Sequence, residues 1–358
     1  MLEKTVVTVN STGRQSASFV RVASAVGWRV RAQVRSREGL VADELAGLPN
    51  VEIVEGSLEE EGIIEYLFKD IQVAFINTTP WGDEVAMGCA LADAAKRAGV
   101  EHYIYSSMPD HSRYEGRGWK ALPLWVQKAK VEQHIRRIGL PATFIYTGIY
   151  NNNFTSLPYP LFRMELQDDG SFVWQAPFHP DDPLPWLDAE HDVGPTVLQV
   201  SKSGPEAWVG QRITLAFERL TPRQLCARFS RGVSRPVVYR HGPIEISVST
   251  PAGYREHLEV LEETLGRQRA PYFGPDLEYP KEARSIWEGY RGIEEYAREV
   301  FPVEESANGM TWMDEREEDS TATTLAETPV DTPGTRTPSG ARTPSRHPEG
   351  DEYFLGSC

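Results

Sequence analysis

The first 150 residues alternate, five times over, between short apolar runs and helix-patterned segments, and that rhythm constrains the fold most tightly. Strands are predicted at Thr5–Val9, Arg29–Val34, Val51–Glu55, Val73–Asn77, His102–Ser106 and Ala142–Tyr146. Helical patterns fill the gaps at Gln15–Val26, Gly39–Leu45, Glu60–Phe68, Glu84–Ala98 and Leu124–Ile138, several bounded by glycine. Strands separated by helices of this length build βαβ units, because parallel neighbours need a long crossover. The expected fold is α/β, a Rossmann-type doubly wound parallel sheet over residues 1–150.

The rhythm stops after residue 150. Residues 151–313 are rich in Pro and aromatics and read as a smaller α+β lobe. Its predicted strands are Arg212–Phe217, Val237–Arg240 and Ile244–Val248, and its predicted helices lie around Thr221–Phe229, Pro251–Leu265 and Ser285–Val300. Residues 314–358 hold ten acidic and four basic side chains and few apolar ones. Such a segment cannot offset its ordering entropy and is expected to be a disordered acidic tail. Four Thr-Pro pairs, at Thr328, Thr332, Thr337 and Thr343, suit proline-directed phosphorylation and suit a plain solvating tail equally well.

A net charge of −15 argues against direct nucleic-acid binding, which needs clustered Lys and Arg. No apolar run reaches the roughly 20 residues that span a bilayer. Cys89, Cys226 and Cys358 match no disulfide or zinc spacing, which fits a reducing compartment. The first strand follows Met1 so closely that no signal or transit peptide is expected.

The turn after the first strand reads Asn10-Ser-Thr-Gly13-Arg-Gln-Ser16, where dinucleotide-binding turns usually carry Gly-x-x-Gly-x-x-Gly. Asn10 is among the non-glycine residues best suited to a left-handed conformation. Gly13 keeps the position where backbone approaches pyrophosphate, and Ser16 is small where helix packs on strand. Amides around Thr12–Gln15 at a helix N-terminus suit a phosphate. A plain strand-to-helix turn reads from the same residues.

The second strand ends in Val34-Arg35-Ser36-Arg37, without the acid that binds the ribose of NAD. Arg35 suits adenine stacking and a 2′-phosphate, so NADP should be accepted; Arg37 reads equally as a surface charge. The fourth strand ends in Asn77-Thr78-Thr79, small polar groups at the carboxyl edge where ligands bind in such sheets. The fifth ends in Ser106-Ser107, where short-chain dehydrogenases place a catalytic Ser. Their chemistry also requires Tyr-x-x-x-Lys on the next helix, so that Lys lowers the phenol's pKa. Here Lys128 is present, but the Tyr position is Leu124. Tyr114, ten residues upstream of Leu124, is an unconvincing substitute. Binding is retained in this reading and the chemistry is not.

The stretches "VNSTGRQSASFVRVASAVGWRVRAQVRS", "AFINTT", "DAAKRAGVEHYIYSSMPDHS", "GIYNNNFTSLPYPLF" and "PLPWLDAEHDVGP" resemble the NmrA-like regulators, an atypical branch of the short-chain dehydrogenase superfamily. "GYREHLEVLEE", "APYFGP" and "EYAREVFPVEESANG" extend the resemblance to about Met313. It implies NAD or NADP bound without turnover, in a redox-sensing co-repressor of the nucleus and cytoplasm. Such a co-repressor binds a GATA-type zinc-finger activator and restrains nitrogen-catabolic genes. The family's Asn-x-x-Gly-x-x-small turn maps onto Asn10, Gly13 and Ser16. Its cofactor contacts carry over to Thr12, Arg14, Gln15, Asn77, Thr78, Thr79, Lys128, Tyr146 and Ile149. Two departures stand out: Ser16 replaces the more usual Ala, and Arg35 stands where His is expected, which opens the choice between NAD and NADP. The alternative is an atypical NADP-dependent reductase with Lys128 as general base.

An acidic surface suits a basic zinc finger, and the runs Glu256–Glu263 and Glu294–Glu305 are candidates, though acidic helix faces are usually just solvated. "DAEHD" at 188–192 offers carboxylates and a His, but reads better as an N-cap followed by acids in a first helical turn than as a metal site.

Overall fold

The computed structural model describes residues 4–313. The Thr-Pro pairs and the acidic tail lie outside them. Seven strands form one parallel sheet: β1 (Thr5–Thr8), β2 (Arg29–Val34), β3 (Val51–Glu55), β4 (Val73–Ile76), β5 (His102–Ser107), β6 (Ala142–Thr147) and β11 (Arg212–Leu215). Their order is β11-β6-β5-β4-β1-β2-β3, so the chain reverses direction of travel at β1. In open sheets of this kind ligands bind beyond the carboxyl ends of the strands at such a switch point.

Helices α1 (Arg14–Ala25), α2 (Leu40–Ala46), α3 (Glu61–Phe68), α4 (Glu84–Ala98) and α5 (Pro123–Arg137) connect these strands. Val7, Val9, Ala74, Ile76, Tyr103 and Tyr105 face one core, with α4 and α5; Val6, Val30, Ala32, Val73 and Phe75 face the other, with α1. Both faces are covered, so β4 at the centre reads as an unbroken apolar run, while β2 and β3 toward the edge alternate apolar with charged residues. Helix limits follow local chemistry. Asp83 caps α4 by accepting from the Ala86 amide at 2.9 Å, and Gly99 ends it in the left-handed conformation.

The predicted strand over 212–217 belongs to this sheet, pairing in parallel with β6, and not to the smaller lobe. Helices α6 (Ala189–Ser203) and α7 (Pro205–Trp208) form its crossover. That sixth βαβ unit is hidden in the sequence because β7 (Ile149–Tyr150), β8 (Met164–Leu166), β9 (Phe172–Ala176) and β10 (Leu184–Leu187) are inserted ahead of it. Helix α6 lies directly against α1. The Gly194 amide donates to Ser18 Oγ at 2.9 Å, and a Cβ at 194 would overlap the Ser18 backbone.

The other strands make two small sheets. One is β12-β10-β7 with β12 (Glu218–Leu220); the other is β13-β9-β8 with β13 (Val237–His241). Helix α8 (Pro222–Val233) opens on a capping box between Thr221 and Gln224. No strand forms at 244–248; Gly242 and Pro243 end β13, and the Ile244 amide donates to Glu262 instead. The helix expected from Pro251 divides into α9 (Tyr254–Leu261) and a π-helical turn at Glu262–Arg267. The helix expected over 285–300 is also broken. It forms α10 (Lys281–Ile286) and α11 (Ile293–Glu299), followed by α12 (Phe301–Ala307). Gly289 and Gly292 interrupt it, and Tyr290 turns aside to stack on Phe217 at 5.1 Å.

Candidate dinucleotide-binding site

The turn after β1 is tightly built. Asn10 adopts a φ of 49°, in the left-handed region that its sequence position called for. Its amide donates to Gln33 Oε1 at 2.9 Å, and its Nδ2 donates to the Asn77 carbonyl at 2.9 Å. The Gly13 amide closes the turn onto the Asn10 carbonyl at 3.0 Å, and a Cβ on Gly13 would stand 3.2 Å from that same oxygen. Gly13 is the N-cap of α1 and offers no capping side chain, so none covers the first-turn amides. Thr12, half-buried, forms the crest of the turn.

Ser16 resolves the third glycine position. Fully buried, it donates from Oγ to the Val9 carbonyl at 2.9 Å. Its extra atom becomes a tie between helix and strand and not an obstruction. Gln33 is a residue the sequence reading missed. It is fully buried, and besides accepting from Asn10 it donates to the Gly56 carbonyl at 2.8 Å, joining the loops after β1 and β3. The signal was a polar residue inside a strand buried on both faces.

The other side of the candidate site comes from β4 and α5. Lys128 Nζ donates to the Thr78 carbonyl at 2.6 Å and to Asn77 Oδ1 at 3.2 Å. It also lies 3.1 Å from Glu84, a carboxylate with no exposed surface. Glu84 Oε1 accepts from Thr78 Oγ1 at 2.7 Å, and that hydroxyl meets the Tyr105 phenol at 2.8 Å. Asn10, Asn77, Thr78 and Lys128 are thus one connected set, with Thr79 half-buried beside it. Glu84 Oε2 and Gln15 Oε1 are buried polar atoms without a hydrogen-bond partner among the described residues.

Leu124, one turn before Lys128, packs against the core and brings no phenol. Tyr105 is the phenol linked to Lys128 through the Thr78 hydroxyl, and burial drives its pKa well upward, as does Glu84. That is opposite to what proton exchange from a phenol requires. Tyr114 sits instead among His111 and Trp119, and burial raises its pKa as well.

The other expected contacts also meet partners within the protein. Arg14 forms ion pairs with Glu190 of α6 and, at 3.0 Å, with Glu304 of α12. Gln15 donates to the Tyr150 hydroxyl. Tyr146 donates to buried Glu132 at 2.8 Å, as does Ser107, while Arg212 and Arg136 neutralise that carboxylate. Ile149 is 2% exposed within β7. Arg35 lies over the ring of Trp81 at 5.6 Å, and Arg37 folds back to the Ile53 carbonyl at 2.8 Å.

The remaining candidates are structural. Asp188 caps α6 by accepting from the Glu190 and His191 amides, and its other oxygen pairs with Arg291 at 3.2 Å. The acidic runs are partly turned inward. Glu305 is buried and accepts from Thr155, Ser156 and Trp312, and Glu304 is spent on Arg14 and Tyr296. Glu256, Glu259, Glu295 and Glu299 stay exposed.

A seven-stranded parallel sheet wound in both directions from β1, with helices on both faces, defines a Rossmann-type α/β fold. Within that class the model of the NmrA-like family matches residues 2–297, and the chain belongs to that family. It is 54% identical to the nitrogen metabolite repression protein nmr of Neurospora crassa, covering 87% of this chain and 71% of that one. It is 53% identical to nmrA of Emericella nidulans, covering 87% and 99%. A crystal structure of Nmra, a negative transcriptional regulator, in complex with NAD superposes with a TM-score of 0.85 at 56% identity, covering 87% of this chain and all of that one. The NADP complex of the same regulator superposes at 0.84, with the same identity and coverage.

Proposed function

We propose that this chain is a dinucleotide-binding transcriptional co-repressor without catalytic turnover, acting on nitrogen-catabolic genes through a GATA-type zinc-finger activator. The observation that carries the absence of chemistry is the pairing of Lys128 with buried Glu84 and Thr78, one helical turn from Leu124. In a dehydrogenase the Lys charge serves to ionise a phenol. Here a carboxylate consumes that charge, and no phenol stands in the Tyr position.

The residues fit NAD or NADP on structural grounds. A Cβ on Gly13 would crowd the Asn10 carbonyl at 3.2 Å, the α1 N-terminus suits pyrophosphate, and Gln15 Oε1 and Glu84 Oε2 are buried acceptors without a partner among the described residues. The Thr12–Gln15 amides would take the phosphates, Asn77–Thr79 and Lys128 the nicotinamide ribose, and Arg35 the adenosine end. The bound dinucleotide would supply a redox-dependent charge on its nicotinamide, and the residues here would bind and orient it.

Partner choice rests on the relatives' role as nitrogen regulators and on acids left exposed on α9 and α11, which complement a basic finger. Action in nucleus and cytoplasm follows from that role. The test is capture of a purified GATA zinc finger by the chain, with and without dinucleotide, alongside a hydride-transfer assay. Finger capture without turnover supports the reading. Finger-independent turnover that Lys128→Ala abolishes would establish the reductase instead.

A further inference from the structure

We propose that the open edge of β13 is a docking site for this chain's own residues 351–355, which add to it as an antiparallel strand. β13 ends the sheet β13-β9-β8, and β9 is its single neighbour among the described residues. The Phe172 amide donates to the Pro236 carbonyl at 2.8 Å, and the Gly242 amide donates to the Ala176 carbonyl at 3.1 Å. That phase gives β9 the backbone groups of the even-numbered residues. The amides and carbonyls of Val237, Tyr239 and His241 therefore point to the open edge. Val237 and Tyr239 pack their side chains on the core, while Val238, 55% exposed, and Arg240 face solvent. A bare edge that carries an exposed apolar residue is a template for one more strand.

Sequence, complementarity and reach select the occupant. Residues 351–355 read Asp-Glu-Tyr-Phe-Leu between Gly350 and Gly356, and Tyr353 and Phe354 are the only aromatic residues in 314–358. A short aromatic run bounded by glycine is a strand signal. Laid antiparallel on β13, it sets Leu355 opposite Val237, Phe354 opposite Val238 and Tyr353 opposite Tyr239. Glu352 then meets Arg240, which has no ion-pair partner among the described residues, and Asp351 meets exposed His241. Apolar, aromatic and opposite-charge pairs on a shared face are what stabilise neighbouring strands. Moving Glu352 by one position, opposite Tyr239, would turn its charge to the core face. The described chain also ends beside this sheet. Trp312 packs at 5.2 Å on Phe172, the β9 residue opposite Val237. Residues 314–350 form a tether of 37 residues. A chain of that length has a root-mean-square reach of about 35 Å, roughly twice the length of a five-residue strand. Tethering gives the segment an effective concentration on the order of millimolar, well above that of a second copy in dilute solution.

The test is amide hydrogen exchange over residues 237–241 in the full chain. It compares wild type with Tyr353→Pro, with Arg240→Glu, and with the charge swap Arg240→Glu plus Glu352→Arg. Proline at 353 removes an amide that would bond to Tyr239, at a position outside the folded core. Wild type should exchange on the order of tenfold more slowly at the outward amides than Tyr353→Pro. Arg240→Glu sets like charges opposite each other and should lose most of that protection, and the swap should restore it. Equal exchange in wild type and Tyr353→Pro overturns the docking, as does a swap that restores nothing. Protection that grows with protein concentration from about 1 to 50 μM also overturns it, because the edge would then belong to a second copy.

Discussion

The Lys128 ammonium lies 3.1 Å from the carboxylate of Glu84, a side chain with no exposed surface, on the helix that follows β4. The pair joins α4 to α5. A lysine so paired is held in place by its contacts with Glu84, Thr78 and Asn77. It can hydrogen-bond a ribose, and it has no phenol to activate.

Removing one member of a buried pair strands the other without its counter-charge, which typically costs 3–5 kcal/mol. Glu84→Ala should therefore destabilise the chain by about 3 kcal/mol in urea unfolding. The double variant Glu84→Leu with Lys128→Met should lose markedly less than the two single variants summed, since no charge is left unpaired. Additive losses would show that the pair is not coupled.

Gly194 is the point where α6 lies closest to α1. A methyl group there has no space beside Ser18, whose hydroxyl already accepts from the Gly194 amide. Gly194→Ala should cost about 3 kcal/mol, at the upper end of overpacking penalties, and should weaken dinucleotide binding because α1 carries the Gly13 turn. A thermal midpoint within a degree of wild type would contradict this contact.

Asp192 is fully buried next to His191, and burial pushes its carboxyl up to about 6, with Asp188 adding to the rise. Its folded pKa thus exceeds its unfolded one, so the native state binds more protons between those two values. Stability from this group is present at low pH and is lost as pH rises through about 4 to 6. His191, raised by its hydrogen bond to Asp192, shifts stability in the same direction at higher pH. Relative to Asp192→Asn, wild type should lose about 2–3 kcal/mol from pH 4 to pH 7. Parallel pH profiles for the two proteins would exclude the assignment.

The sheet was legible because each βαβ unit carries its own strand, helix and glycine boundary within some thirty residues. The seventh strand was not, since its crossover is separated from β6 by inserted β-structure and its pairing is wholly tertiary. At the turn after β1, the left-handed conformation of Asn10 was readable from turn chemistry. Glu84 and Gln33 were not, because a carboxylate on a helix and an amide in a strand look solvent-facing until burial is known. The same holds for Arg14. Its place beside Gly13 said nothing of the ion pairs it makes with Glu190 and Glu304, 176 and 290 residues away in sequence.

The central claim is a site retained for binding without chemistry, and calorimetric titration of the full chain with NAD and NADP, checked for nicotinamide oxidation state before and after, tests it most directly. The account predicts one site per chain with a Kd on the order of micromolar for at least one dinucleotide, and recovery of that dinucleotide unchanged. No binding heat and no rise in melting temperature with either dinucleotide would contradict it.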